Sequence, residues 1–178
     1  RLIDGLDSRS SIPQIEVAAS SGDVALVVRH LTMLSAEDLA AFAAFQDAHQ
    51  VMILLQSKGP DSVKPLDEAV NPLLHYRLDD QGLLFEFHPM DFTQVNQAVN
   101  QKMVNLALDL LGLNSEDQVL DAFCGIGNFS LAIAQRAASV VGIEASSASV
   151  SRASSNAQLN GLKNAFFEVA DLYQSESA

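Results

Sequence analysis

The residues Asp117-Gln118-Val119-Leu120-Asp121-Ala122-Phe123-Cys124-Gly125-Ile126-Gly127-Asn128 restrict what this chain can fold into more than any other stretch. A short apolar run, Val119 to Phe123, stops at two glycines one residue apart. An apolar helical pattern follows in Phe129, Leu131, Ala132, Ile133 and Ala134. This order predicts a strand, a tight turn and a helix. Gly125 and Gly127 permit positive φ and let a ligand approach the backbone without meeting a Cβ. The amides that open the next helix then point at that ligand.

Downstream, Val140-Val141-Gly142-Ile143-Glu144 reads as a second strand that ends in a carboxylate, 19 residues after Gly125. In nucleotide-binding α/β folds an acid at this place accepts hydrogen bonds from ribose hydroxyls. Its two acceptor oxygens suit two vicinal hydroxyls. A dinucleotide fingerprint would carry a third glycine where this chain has Ser130. Asp121, four residues before Gly125, is awkward beside a pyrophosphate and favourable beside an ammonium and a sulfonium. The pattern therefore favours S-adenosylmethionine over NAD, while a strand–helix turn without any ligand uses the same residues.

The segment Asp121-Ala122-Phe123-Cys124-Gly125-Ile126-Gly127-Asn128-Phe129 resembles the cofactor loop of the RNA uracil-5-methyltransferases. Asp91-Phe92-Thr93-Gln94-Val95-Asn96 resembles the lead-in to their catalytic domain, and Asn156-Ala157-Gln158-Leu159-Asn160-Gly161-Leu162-Lys163-Asn164 the segment after their second strand. Three blocks in the right order are more specific than one glycine-rich loop. The likeness is greatest to the iron-sulfur-containing branch that modifies bacterial 23S ribosomal RNA. It is dense from about residue 83 to 171 and thin before that.

Charge sets a constraint on any such role. Ten basic and 22 acidic side chains give a net charge of −12. Residues 1–93 hold six Lys/Arg and 14 Asp/Glu, net −8, and residues 94–178 hold four and eight, net −4. Neither half offers the basic stripe of a nucleic-acid binder. A ribosomal RNA partner would be held mainly by regions outside this chain. A single cysteine excludes an internal disulfide and fits a reducing cytoplasm. No apolar run reaches the length of a membrane helix, no secretory leader is visible, and the four histidines show no metal-ligand spacing.

Taken in order, Arg1 to Leu6 reads as the tail of a helix broken by Gly5. Gln14 to Ala19 and Val24 to Leu31, joined through Ser20-Ser21-Gly22-Asp23, read as a β-hairpin. Ser35, with Asp38 three positions on, caps a helix to about His49. Val51 to Gln56 is a strand, and Leu73 to Leu78 with Leu83 to His88 forms a second hairpin. Residues 1–92 thus read as a small α+β domain with an antiparallel sheet, the central domain by resemblance. From Thr93 a helix is expected with Val95, Val99, Met103, Leu106, Leu110 and Leu111 on one face, ended by Gly112. Ser146 caps the next helix, Asn160-Gly161 stops it, and Ala165 to Val169 is a third strand ending at Asp171. Residues 93–178 then form the N-terminal half of an α/β, Rossmann-like methyltransferase sheet. Its open edge at the Val119 strand invites pairing with a second copy.

The resemblance assigns Gln94 to the cofactor and places Phe92 near the target base; Phe123, Asn128 and Glu144, with Asp121, Gly125 and Gly127, join the cofactor set, and Asp171 either accepts from the adenine amino group there or caps the segment that follows it. It implies that a cysteine thiolate adds to C6 of uracil, that C5 then takes the methyl group, and that a carboxylate removes the C5 proton. Cys124 lies inside the cofactor loop and is not expected to be that nucleophile. The nucleophile, the base and the cluster-binding cysteines are expected in sequence beyond this chain, so the chain taken alone is expected to be inactive. A transfer-RNA uracil-5-methyltransferase and a non-catalytic cofactor-binding or RNA-presenting module remain the alternatives.

Overall fold

The computed structural model describes residues 2–20 and 22–172. Arg1 of the expected helix tail, Ser21 of the first hairpin loop and the residues after Leu172 lie outside them. Two compact units emerge. One is built from residues up to Leu74 with His88–Met90, the other from His75–Phe87 with residues from Asp91 on.

In the first unit, short 3-10 turns at Ile3–Gly5 and Arg9–Ser11 replace the expected helix tail. Strands β1 (Gln14–Ala19), β2 (Val24–Arg29), β3 (Met52–Gln56) and β4 (Val63–Pro65) form one sheet in that order, with helix α1 (Ala36–His49) between β2 and β3. The first hairpin forms, with Gln14 opposite Arg29. The sheet is mixed rather than antiparallel throughout, because β2 and β3 run parallel. A parallel neighbour needs a crossover, and α1 supplies it. Ser35 Oγ accepts the Asp38 N–H at 3.0 Å, as a cap should. The Asp38 carboxylate does not return to the cap. It accepts the N–H groups of Asp7 and Ser8 and the Ser8 hydroxyl. The Ser8 hydroxyl bond chiefly holds that carboxyl below its ordinary range. Leu6, Val28, Leu34, Phe42 and Ile53 make the core.

The second unit contains all but the first residue of strand β5 (Leu74–Leu78), then β6 (Leu83–Phe87), α2 (Gln97–Leu111), β7 (Gln118–Ala122), α3 (Ser130–Ala134), β8 (Ser139–Glu144), α4 (Ser147–Leu159) and β9 (Ala165–Val169). The last three strands form a parallel sheet of order β7-β8-β9, with Val119 beside Val140 and Val141 beside Phe166. Strands alternating with helices in this order are half of a doubly wound, Rossmann-like sheet. Among the described residues β7 has one neighbour, β8. Val119, Val140 and Phe167 face the helices, whereas Leu120 and Phe166 are 63% and 54% exposed on the opposite face.

The second hairpin belongs with this unit, not with the first 92 residues. Leu78, Leu83 and Phe85 sit in its core with Val104, Leu108, Leu131 and Val140. The outer edge of β6 is closed by two asparagines one turn apart, Asn156 in α4 and Asn160 at its C-cap. Asn160 Oδ1 accepts the Leu84 N–H at 2.9 Å while its Nδ2 donates to the Leu84 carbonyl at 2.7 Å. Asn156 repeats the pattern on Glu86 at 2.9 and 3.1 Å.

Helix α2 starts later than expected and buries a different face. Asn96 is the N-cap, accepting the Val99 N–H at 3.0 Å, and Gly112 closes the helix at φ +57°. The buried positions are Asn100, Val104 and Leu108. Val99, Leu106 and Leu110, on the expected apolar face, are exposed.

Candidate cofactor site

The carboxyl ends of β7, β8 and β9 converge on the turn after Phe123. The Cys124 N–H donates to the Ile143 carbonyl at 3.0 Å, which fastens the turn to β8. Ala170 N–H donates to the Glu144 carbonyl at 3.1 Å, which brings the Asp171 segment to the same end of the sheet. Three residues of the turn adopt positive φ: Phe123 at 62°, Gly125 at 55° and Gly127 at 91°.

The two glycines do different work. A Cβ on Gly127 would lie 2.6 Å from Leu131 Cδ1 and 3.4 Å from the Phe167 ring, so this glycine lets the turn close onto the sheet. A Cβ on Gly125 would meet nothing within 4 Å. Gly125 therefore faces open space, as a position that a ligand approaches must. A third glycine, Gly142 on β8, makes room for Cys124: a Cβ there would come within 2.8 Å of Sγ and 2.6 Å of Phe167.

Glu144 lies at the bend. Its Oε2 accepts the Gly125 N–H at 3.2 Å and its Oε1 accepts the Ser146 N–H at 3.0 Å. Each oxygen keeps a further lone pair for a ligand. Asp121, at the end of β7, accepts the Ser130 hydroxyl at 2.5 Å. Burial pushes its carboxyl above the ordinary value, and the Ser130 bonds pull the other way. Cys124 is 6% exposed. Burial first, then the negative charges of Asp121 and Glu144, push its thiol up to about 12. It packs as a small apolar group.

Asn128 also lies at the turn, but its side chain is committed elsewhere. Its Oδ1 accepts the Tyr76 hydroxyl at 2.9 Å and Asn100 Nδ2 at 2.9 Å, and its own Nδ2 donates to Asn100 Oδ1 at 2.9 Å. Periodicity passes over Asn100 and Tyr76; the signal available in the sequence is a polar residue at the head of the Val104–Leu108 stripe. Asn156 also supports the turn, with no periodicity signal to mark it. Besides Glu86 it donates to the Ile126 carbonyl at 3.2 Å, bracing the turn from α4. Phe92 and Gln94 are exposed in the irregular segment before α2. That segment is fastened to α4 by Asp91 Oδ2, 3.6 Å from Arg152 Nε. Phe123 and Asp171 are exposed. Among the described residues no group of three or more His, Cys, Asp or Glu could hold a metal ion, and no helix is long and apolar enough to cross a membrane.

Known proteins share both the sequence and the fold. The 23S rRNA (uracil(1939)-C(5))-methyltransferase RlmD of Hahella chejuensis is 47% identical over 173 residues, and that of Stenotrophomonas maltophilia K279a is 48% identical over 174. The matches take in 97% and 98% of this chain but 39% of each relative, so the chain spans about two fifths of their length. Among solved structures, a Pyrococcus abyssi tRNA (uracil-54, C5)-methyltransferase in complex with S-adenosyl-L-homocysteine superposes with a TM-score of 0.62 at 19% identity, over 88% of this chain and 38% of that one. Trm5b from Pyrococcus abyssi follows the same fold with a TM-score of 0.54 at 13% identity, over 92% of this chain and 49% of that one. At such identities these two structures speak to the fold, which is that of a Rossmann-like methyltransferase. A family model described as tRNA (Uracil-5-)-methyltransferase matches residues 29–172, and with the sequence identity it shows that this chain belongs to that family.

Proposed function

We propose that this chain supplies the adenosine-binding half of an S-adenosylmethionine-dependent enzyme that methylates C5 of a uridine in 23S ribosomal RNA. The observation that carries the cofactor reading is the Glu144 carboxylate, drawn to the bend by the Gly125 N–H. The residues fit the group. Gly125 opens onto free space, Glu144 has acceptor capacity left for two ribose hydroxyls, and Asp171 follows the strand end beside it. Phe123, exposed at positive φ, and Gln94 lie in segments that would border the adenosine and methionine ends, and the Asn128 backbone continues the turn. The bound cofactor supplies an electrophilic methyl group. Asp121, half-buried and hydrogen-bonded to Ser130, would face its positively charged end.

The relatives of nearly half identity, named 23S rRNA (uracil(1939)-C(5))-methyltransferases, support this RNA target. It would place the protein in the cytoplasm. Burial and two neighbouring carboxylates disfavour the Cys124 thiolate, so the nucleophile and base would come from the part of the relatives' length this chain does not span. Residues 1–92 would serve as the central domain that presents RNA, although the hairpin of β5 and β6 goes with the catalytic part. The open edge of β7 is where further strands of the sheet, or a second copy, would add. Calorimetry with S-adenosylhomocysteine and with NAD tests the cofactor. Binding of the first alone supports the reading, and binding of NAD alone refutes it. A C5-methylation assay on 23S and transfer RNA transcripts, run on the whole protein, tests the substrate.

A further inference from the structure

We infer that Asn100 and Tyr76 are positioning residues for the cofactor turn, acting through Asn128. The inference rests on the cofactor reading above. Asn100 is 2% exposed and pairs with Asn128 through two reciprocal amide bonds of 2.9 Å. Such a pair fixes both the place and the rotation of the partner side chain, because each amide must present its donor and its acceptor in the right order. Tyr76 adds a third bond to Asn128 Oδ1 at 2.9 Å and is itself held flat against Phe85, with ring centroids 4.8 Å apart and planes 2° from parallel. Three elements therefore meet on one side chain: β5, the first turns of α2, and the turn after β7.

This arrangement reaches further than packing. Asn100 follows Gln94 by six positions, and Asn128 follows Gly125 by three. A rigid link from Asn100 to Asn128 thus ties the segment that carries Gln94 to the bend that carries the Gly125 amide. Loosening it would let the two sides of the cofactor cradle move apart without removing any group that touches the ligand. Preorganised sites lose affinity when their supporting bonds are removed.

The test is cofactor binding in the whole protein carrying Asn100→Ala, Asn128→Ala, the double substitution, and Tyr76→Phe. Tyr76→Phe keeps the ring stack on Phe85 and removes only the hydroxyl. Each single change is expected to weaken S-adenosylhomocysteine binding at least about fivefold, the effect of losing one net hydrogen bond or more. The double substitution should cost no more than the worse single one, since both break the same pair. Loss of thermal stability with unchanged affinity in Asn100→Ala and Tyr76→Phe would overturn the inference. So would a double variant whose losses multiply, which would mean that Asn128 meets the ligand directly. If the unsubstituted protein fails to bind S-adenosylhomocysteine, the cofactor reading itself falls, and this inference with it.

Discussion

Glu144 Oε2 accepts the backbone N–H of Gly125 at 3.2 Å, across 19 residues of sequence. The bond couples the end of one strand to the turn at the end of its neighbour. It also holds the carboxylate still before any ligand arrives.

Replacing Glu144 by Gln leaves one acceptor oxygen for either the Gly125 or the Ser146 N–H and removes the charge and half the acceptor capacity. Hydrogen bonds to a charged group contribute about 1.5–3 kcal/mol. The expected result is a loss of about tenfold or more in S-adenosylhomocysteine affinity by calorimetry, with little change in melting temperature. Unaltered affinity would remove Glu144 from the ribose.

The two loop glycines should fail differently. Gly127→Ala forces a Cβ to within 2.6 Å of Leu131 at φ +91° and is expected to lower stability by about 2–3 kcal/mol in urea unfolding. Gly125→Ala meets no atom within 4 Å and should cost only about 1–2 kcal/mol for its left-handed backbone. Its larger effect should be on ligand affinity, because the new methyl group stands in the open space that the ligand would enter. Equal stability losses with no difference in binding would contradict this division.

Asp121 and Asp38 should give stability profiles of opposite sign. Asp121 has a carboxyl raised by burial, so the folded state binds its proton more tightly than the unfolded chain. Its contribution is fully present below the ordinary value of 3.8 and is lost as pH rises through the raised folded value. Asp38, lowered chiefly by the Ser8 hydroxyl, contributes above 3.8 and loses that contribution as pH falls through its folded value. Urea unfolding of Asp121→Asn and Asp38→Asn from pH 3 to 7 should show the first variant gaining on the parent as pH rises and the second losing ground. Parallel curves would contradict both assignments.

Cys124 should resist thiol reagents at pH 8 in the folded protein and react freely in urea. Burial and two neighbouring carboxylates keep its thiolate scarce. Reaction with Ellman's reagent in the native state at the speed of a free thiol would show that the turn opens readily.

Asn156→Ala removes an amide that serves Glu86 N–H, Glu86 C=O and the Ile126 carbonyl from a fully buried position. Orphaned buried backbone groups cost about 1–3 kcal/mol each. A loss of about 3 kcal/mol or more is expected in the urea midpoint analysis. A loss below about 1 kcal/mol would mean that the hairpin is secured by its apolar side alone.

The strand–turn–helix at Val119, the carboxylate at the end of the second strand and the Ser146 cap were legible because each rests on local chemistry: periodicity, glycine, and a side chain three residues from its amide. What escaped reading depends on distant partners. The buried stripe of α2 begins with a polar residue, Asn100, whose partner is 28 positions away, so counting apolar residues selected the wrong face. The second hairpin looked like part of the preceding sheet until Asn156 and Asn160, at least 70 positions on, took its edge. Parallel pairing of β2 with β3 leaves no turn signal at all. Asn128 belongs to the cofactor loop by sequence, yet its amide answers to the helix and hairpin behind it.

The side chains of Asn156 and Asn160 give β6 what a neighbouring strand would give, alternating donor and acceptor at every second residue. Since a helix supplies them, nothing on its far side can propagate the ladder. The rim is thereby sealed against recruitment by stray extended peptide, a safeguard installed by two amides rather than by charge or proline.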